Sequence, residues 1–271
     1  MASAPSAAPA SSAPSAAQAA PPPLRFAVIG DFGTGSRRQF ETARQMWDQH
    51  ERYPYSFVLT VGDNIYGGQD PADMERKFVV PYKPVIDAEI PFYASLGNHD
   101  NRAQVKYELF NMGGQPYYTF TKGPAQFFAL DSTLMTPAQL RWLEDELTRS
   151  EAPWKIAYFH HPIYSSGLRH GPTLVLRAAL EPIFATFGVQ LVFTGHEHFY
   201  ERLQPRYGIQ QFITGSGGQL RRNGIRRGSL ETAAGYDQDT AFLLGTIDGD
   251  TFSFEVINRQ GKVVDSGTVM R

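Results

Sequence analysis

The chain has 271 residues, 25 basic and 27 acidic side chains, a formal net charge of −2 and no cysteine. This balance gives no whole-molecule field for nucleic acid or an acidic membrane, and the missing thiols exclude disulfides, thiolate nucleophiles and Cys-ligated metals. No apolar run approaches the roughly 18 to 20 residues that cross a bilayer, so binding to nucleic acid or membrane is not expected and any metal is held through oxygen and nitrogen donors; a monomer is the expected state.

Residues 1–23 contain 10 Ala, 6 Pro and 5 Ser. Such a composition offers almost no large apolar side chain to offset ordering entropy and predicts a disordered tail: one with no role of its own, a remnant of an export segment, or a linker. Residues 24–271 are expected to fold as one domain. Apolar runs at Leu24–Ile29, Phe57–Val61, Phe92–Leu96, Phe127–Leu130, Ile156–Phe159 and Leu191–Phe193 each stop at Gly, Asp, His or Thr and predict buried strands with polar residues at their C-terminal ends. Helices are predicted between them over Ser36–Glu51, Thr136–Ser150 and Pro172–Phe187. In the second, Thr136 can cap, Pro137 suits the first turn, Gln139 completes a capping box, and Leu140, Leu143 and Leu147 share a face.

From Gln211 onward strands and tight turns take over: Gln211–Thr214, Ala241–Ile247, Asp248-Gly249, Thr251–Asn258, Gln260-Gly261 and Val263–Val269. These hairpins are expected to close the end of a second sheet. Strand and helix alternation ahead of them implies an α/β fold.

The chemistry-bearing residues gather at the strand ends: Gly30-Asp31-Phe32-Gly33, Gly62-Asp63-Asn64-Ile65-Tyr66, Gly97-Asn98-His99-Asp100, His160-His161-Pro162 and Gly195-His196-Glu197-His198. Loops beyond the carboxyl ends of strands in an open α/β sheet converge on one crevice, so separated motifs can build one site. Each motif alone reads as a turn, a solvated loop or a packed histidine, but five of the seven histidines fall inside these short stretches. Coincidence of independent loops is a poor account of that clustering, and oxygen and imidazole donors together suit a metal.

His196 and His198 at i and i+2 project from one side of an extended segment, with Glu197 on the other in a structural role. On a helix they would diverge by about 200°. By the same alternation His160 and His161 face opposite sides, so one of them is a ligand and the other supports it or packs; the spacing does not choose. Trp142 and Trp154 read as packing residues, and Arg221, Arg222, Arg226 and Arg227 as a solvated basic loop that could also attract an anionic ester.

The ordered set resembles the binuclear metallophosphoesterases and, within them, the small purple acid phosphatases of the tartrate-resistant type. The five motifs match from Asp31 to His198. Most metallophosphoesterases carry Asp-x-His in the first motif, whereas position 33 here is Gly, and the purple subgroup has instead a tyrosine three residues after the second-motif aspartate, where Tyr66 stands. The resemblance implies a four-layered α/β/β/α sandwich of two mixed sheets flanked by helices.

It also implies a ferric ion on Asp31, Tyr66 and His198, a divalent ion (Fe(II), Zn or Mn) on Asn98, His160 and His196, and Asp63 bridging the two. The choice of His160 over His161 comes from this resemblance. His99 and His170 take the places of substrate-facing histidines, with Asp100 either orienting His99 or capping the chain after it. The implied activity is hydrolysis of phosphate monoesters, on small phosphoesters or phosphoproteins, by water activated on the ion pair. A phosphodiesterase, including one for cyclic nucleotides, and a non-hydrolytic iron- or phosphate-binding protein are the rival readings. The short Thr133–Thr136 connection and the missing cysteines depart from the animal members, so control by loop cleavage or by thiols is not expected. A secreted or periplasmic location is expected from the tail and the ferric site.

Overall fold

The computed structural model describes Met1 and residues 22–271, so the tail expected over 1–23 lies almost wholly outside the described residues. Two mixed sheets face each other. The first contains β1 (Leu24–Ile29), β2 (Val58–Val61) and β3 (Phe92–Ser95), mutually parallel, and the second contains β4 (Tyr118–Lys122), β5 (Ala125–Ala129), β6 (Trp154–Tyr158), β7 (Leu191–Thr194), β8 (Tyr200–Leu203), β9 (Gln210–Thr214) and β10 (Thr232–Tyr236). In the second sheet β5, β6, β7 and β9 are parallel neighbours, so their following loops share one end, and the Gly30 amide after β1 donates to the Thr214 carbonyl at the end of β9, which brings the carboxyl ends of the two sheets together.

The C-terminal strands β11 (Ala241–Asp248), β12 (Thr251–Asn258) and β13 (Val263–Met270) form the expected hairpins, but they extend the first sheet. Leu24 pairs with Ile247 and Val28 with Leu243 in an antiparallel register. Alternation along a strand reports which faces are buried and nothing about which distant strand is the partner.

Between the sheets lies an aromatic core in which Phe26 stacks on Phe57 at 5.4 Å and meets Phe127 edge-on at 5.6 Å. Truncation of such a fully buried ring costs about 3–5 kcal/mol. Helix α1 (Arg37–Arg52) covers the outer face of the first sheet, with Ser36 accepting the Gln39 amide as its cap and Gln39, Thr42, Ala43, Met46 and Gln49 forming the buried stripe. Beside it run α2 (Pro71–Met74), a π-helical turn at Glu75–Val79 and α3 (Val80–Asp87). None of these last three was read from the sequence, although Asp70, which accepts the Asp73 amide ahead of Pro71, is a recognisable start.

Helices α4 (Pro137–Arg149) and α5 (Leu174–Phe187) cover the outer face of the second sheet, completing the α/β/β/α order. Thr136 caps α4 as expected, but Gln139 does not reach back to it. Its Oε1 accepts the Asp131 amide and its Nε2 donates to the Asp131 carbonyl, so it pins the strand end that leads into the site. Trp154 is buried and donates to the Gly249 carbonyl, and Trp142 packs on Tyr117, both as structural residues.

Candidate metal centre

All five motifs meet at the carboxyl ends of β1, β2, β3, β6 and β7. Their side chains form two adjoining groups. In the first, the Tyr66 hydroxyl lies 3.0 Å from Asp31 Oδ1, 2.8 Å from Asp63 Oδ2 and 3.2 Å from His198 Nε2. In the second, His160 Nε2 lies 3.0 Å from Asn98 Oδ1, 3.2 Å from His196 Nδ1 and 3.4 Å from Asp63 Oδ1. Asp63 thus gives one oxygen to each group, and every residue expected as a ligand lies in one or the other.

The backbone pays for this convergence with unusual conformations. Asp31, Asp63 and His196 all take positive φ (54°, 51° and 69°), sparsely populated for residues with a β-carbon and common at functional sites. Two glycines let the chains close up: a β-carbon at Gly97 would stand 2.2 Å from Asp63 Oδ1, and one at Gly195 would stand 2.4 Å from Asp31 Oδ2. Lys77, buried in the π-helical turn, donates to the Tyr66 and Gly68 carbonyls at 2.7 Å each and so fixes the loop that carries the phenol.

A proton count tests whether these residues suit cations. His160 Nδ1 faces the Val61 carbonyl at 3.0 Å, and a carbonyl only accepts, so Nδ1 carries the proton and Nε2 offers a lone pair. That lone pair faces an amide oxygen, a carboxylate and the nitrogen of His196. Tyr66 has one proton for two carboxylate oxygens, with His198 Nε2 beside them. Among the described residues the only ion pairs of Asp31 and Asp63 are with His198 at 3.3 Å and His160 at 3.4 Å.

Those imidazoles do not supply the missing charge. Burial pushes His160 well below the usual histidine value, and takes His196 down to about 2 and His198 to about 4, with neighbouring histidines adding for His196 and Arg221 for His198. Burial, followed by the charge of Asp63, drives Asp31 well up, and burial with the charges of Asp31 and Asp63 does the same for Tyr66. Two buried carboxylates ringed by lone pairs are strongly unfavourable unless positive charge arrives, so the donor set fits a pair of cations.

The surroundings depart from the sequence reading in several places. His196 and His198 reach the two groups as expected, but not from an extended strand: His196 is left-handed and β8 begins only at Tyr200. His160 and His161 do not face opposite sides either, because β6 ends at Tyr158 and alternation no longer applies. The His161 ring sits 5.0 Å from that of His160 and 4.5 Å from that of His196, and one of its nitrogens lies within 4.8 Å of theirs.

His170 is exposed, its ring 4.3 Å from that of His196, and the His99 ring lies 4.8 Å from that of Tyr66 while its amide donates to Asp63 Oδ1. Asp100 makes no hydrogen bond to the His99 ring. It accepts the Gly97, Asn64 and Ile65 amides and ties two site loops together; burial first, then Asp63, pushes it up to about 7. Glu197 is fully buried. Of the basic loop, Arg222, Arg226 and Arg227 are exposed while Arg221 turns inward to stand 3.7 Å from Glu197. Neither Lys77 nor the inward turn of Arg221 left a signal in the sequence.

The calcineurin-like phosphoesterase family matches residues 24–200. Tartrate-resistant acid phosphatase type 5 of Mus musculus is 28% identical over 241 residues, 72% of this chain and 73% of that protein. Among solved structures, GAP50, the anchor in the inner membrane complex of Plasmodium, superimposes with a TM-score of 0.78 at 20% identity, covering 92% of this chain and 89% of that one. Purple acid phosphatase PPD1 from yellow lupin (Lupinus luteus) seeds does so with a TM-score of 0.73 at 19% identity, covering 92% and 54%. At such identities the two structures bear on the fold alone. No helix among the described residues is long and apolar enough to cross a membrane.

Proposed function

The chain belongs to the calcineurin-like phosphoesterase family, and from that premise we propose that it is an acid phosphatase hydrolysing phosphate monoesters at a centre for Fe(III) and a divalent ion. The observation that carries this reading is the Tyr66 hydroxyl, with one proton to share between carboxylate oxygens of Asp31 and Asp63 at 3.0 and 2.8 Å and with His198 Nε2 at 3.2 Å. Phenolate and carboxylate are hard anionic donors suited to a trivalent ion, while the amide and imidazoles of Asn98, His160 and His196 suit a divalent one. Asp63, with an oxygen in each group, lies between the two.

Bound together, two such cations supply Lewis-acid activation of water and of the phosphoryl oxygens. The chain's own groups do the rest. His99 and His170 stand exposed at opposite margins of the site, His99 beside Tyr66 and His170 beside His196, where they receive phosphoryl oxygens and return a proton to the departing alkoxide. Burial of Asp31 and Asp63 excludes water from the carboxylates and strengthens every electrostatic contact there.

Hydrolysis of a phosphomonoester, a diester and a cyclic nucleotide by protein loaded with iron and zinc tests the reading. The expected result is the highest kcat/KM for the monoester, with activity persisting into the acidic range. A preference for the cyclic diester, a rate confined to alkaline pH, or full metal loading without turnover would each contradict it.

A further inference from the structure

His161 has no assigned role, yet its ring lies against both His160 and His196 at the divalent end of the centre. With His160 and His196 it makes a three-nitrogen group within 4.8 Å, which taken alone resembles a third ligand position. The hydrogen bonds of Ser132 say otherwise. Its hydroxyl oxygen accepts the His160 amide at 3.2 Å and the His161 amide at 3.0 Å, and stands 3.0 Å from His161 Nδ1.

A serine oxygen has two lone pairs and one proton. Two backbone amides occupy the lone pairs, so the hydroxyl proton is what points at His161 Nδ1, and Nδ1 accepts. The neutral imidazole therefore carries its own proton on Nε2. Ser132 itself is buried in the turn after β5, next to the Asp131 that Gln139 pins, and the two amides hold its hydroxyl in place. The ring is only half-buried and Nδ1 is engaged by Ser132, so Nε2 is the nitrogen left free to meet a ligand.

We infer that His161 is a further substrate-binding residue, an Nε2–H donor to a phosphoryl oxygen held at the divalent end, and that Ser132 is the positioning residue that sets its tautomer. This rests on the phosphomonoesterase reading above and deepens it. A protonated Nε2 cannot coordinate a cation, which explains physically why two adjacent histidines divide their work: the Val61 carbonyl leaves His160 with a free Nε2 lone pair, and the Ser132 hydroxyl leaves His161 with an Nε2 proton.

The test combines nitrogen NMR of the metal-free protein with metal analysis and inorganic phosphate binding in the metal-loaded wild type, His161→Phe, His161→Gln and His161→Asn. Glutamine places its amide nitrogen near the site of Nε2, whereas asparagine places it near Nδ1. The expected results are the Nε2–H tautomer at His161, full metal content in all four proteins, and phosphate binding weakened roughly 10- to 100-fold in His161→Phe and His161→Asn, the worth of a charge-assisted hydrogen bond. His161→Gln should recover most of the loss. An Nδ1–H tautomer, loss of one metal equivalent in His161→Phe, or phosphate binding in that variant equal to wild type would overturn the inference. None of these readouts needs turnover, so a wild type that binds metal and phosphate without hydrolysing esters contradicts the proposed function and leaves this result to stand or fall by itself.

Discussion

Glu197 Oε1 accepts the Gly171 amide at 2.7 Å from a fully buried position between two of the proposed ligands. The contact joins the metal-facing turn to the loop that carries His170. Arg221, whose own amide donates to the His198 carbonyl, stands behind the other carboxylate oxygen at 3.7 Å. Gly167 makes room for the carboxylate, since a β-carbon there would lie 1.9 Å from Oε1.

Glu197→Ala should therefore loosen the His170 loop without removing a ligand. Loss of a buried acceptor with its donor left behind costs about 1–3 kcal/mol. Hydrogen exchange at Gly171 should rise while metal content holds. Turnover of an alkyl phosphate, which needs a proton on its leaving group, should fall about tenfold more than that of an aryl phosphate. Unchanged exchange at Gly171, or equal losses on both esters, would mean that the carboxylate does not position His170.

The strands that carry the proposed ligands were legible because each is an apolar run that stops at a glycine or a polar residue, and Leu24–Ile29 appears with the expected bounds. Convergence of the five motifs followed from the parallel order of those strands. The local geometry did not, because His160, His161 and His196 lie beyond the strand ends, where a positive φ and loop packing replace period-2 alternation. The π-helical turn and Lys77 were hidden for a different reason. The residues from Pro71 to Asp87 include three prolines, and their helicity rests on packing of Phe78, Tyr82 and Val85 against the first sheet rather than on local propensity.

Acid should act on the metal-free protein through its buried imidazoles. His198 is depressed to about 4, by burial first and then by Arg221. A group depressed in the fold takes up its proton in the unfolded chain first, so its contribution is intact above the unfolded histidine value near 6.5 and is lost as pH falls from there towards about 4. Asp31, driven up by burial, works in the opposite direction, so the effect must be isolated by comparison. Relative to His198→Asn, metal-free wild type should lose about 2–3 kcal/mol across that interval in denaturant titrations at successive pH values. A difference that does not vary with pH would contradict the burial argument.

Close approach at Gly97 makes a third prediction. The added methyl in Gly97→Ala would stand 2.1 Å from the Asp63 backbone nitrogen as well as 2.2 Å from Oδ1, and neither position can yield without moving Asp63. Overpacking of this kind costs about 1–3 kcal/mol. Thermal unfolding should show the lower stability, and both ions should bind more weakly because Asp63 faces both groups. Normal affinity for one of the two would remove Asp63 from that ion.

The central claim is that two cations share this pocket and that one is bound through the Tyr66 phenolate. Metal analysis together with the visible spectrum of wild type and Tyr66→Phe tests it most directly. The account predicts two metal equivalents in wild type, one of them ferric iron, with a phenolate-to-iron charge-transfer band that disappears in Tyr66→Phe. Iron-loaded, oxidised wild type without a visible band, or a band that survives in Tyr66→Phe, would contradict it.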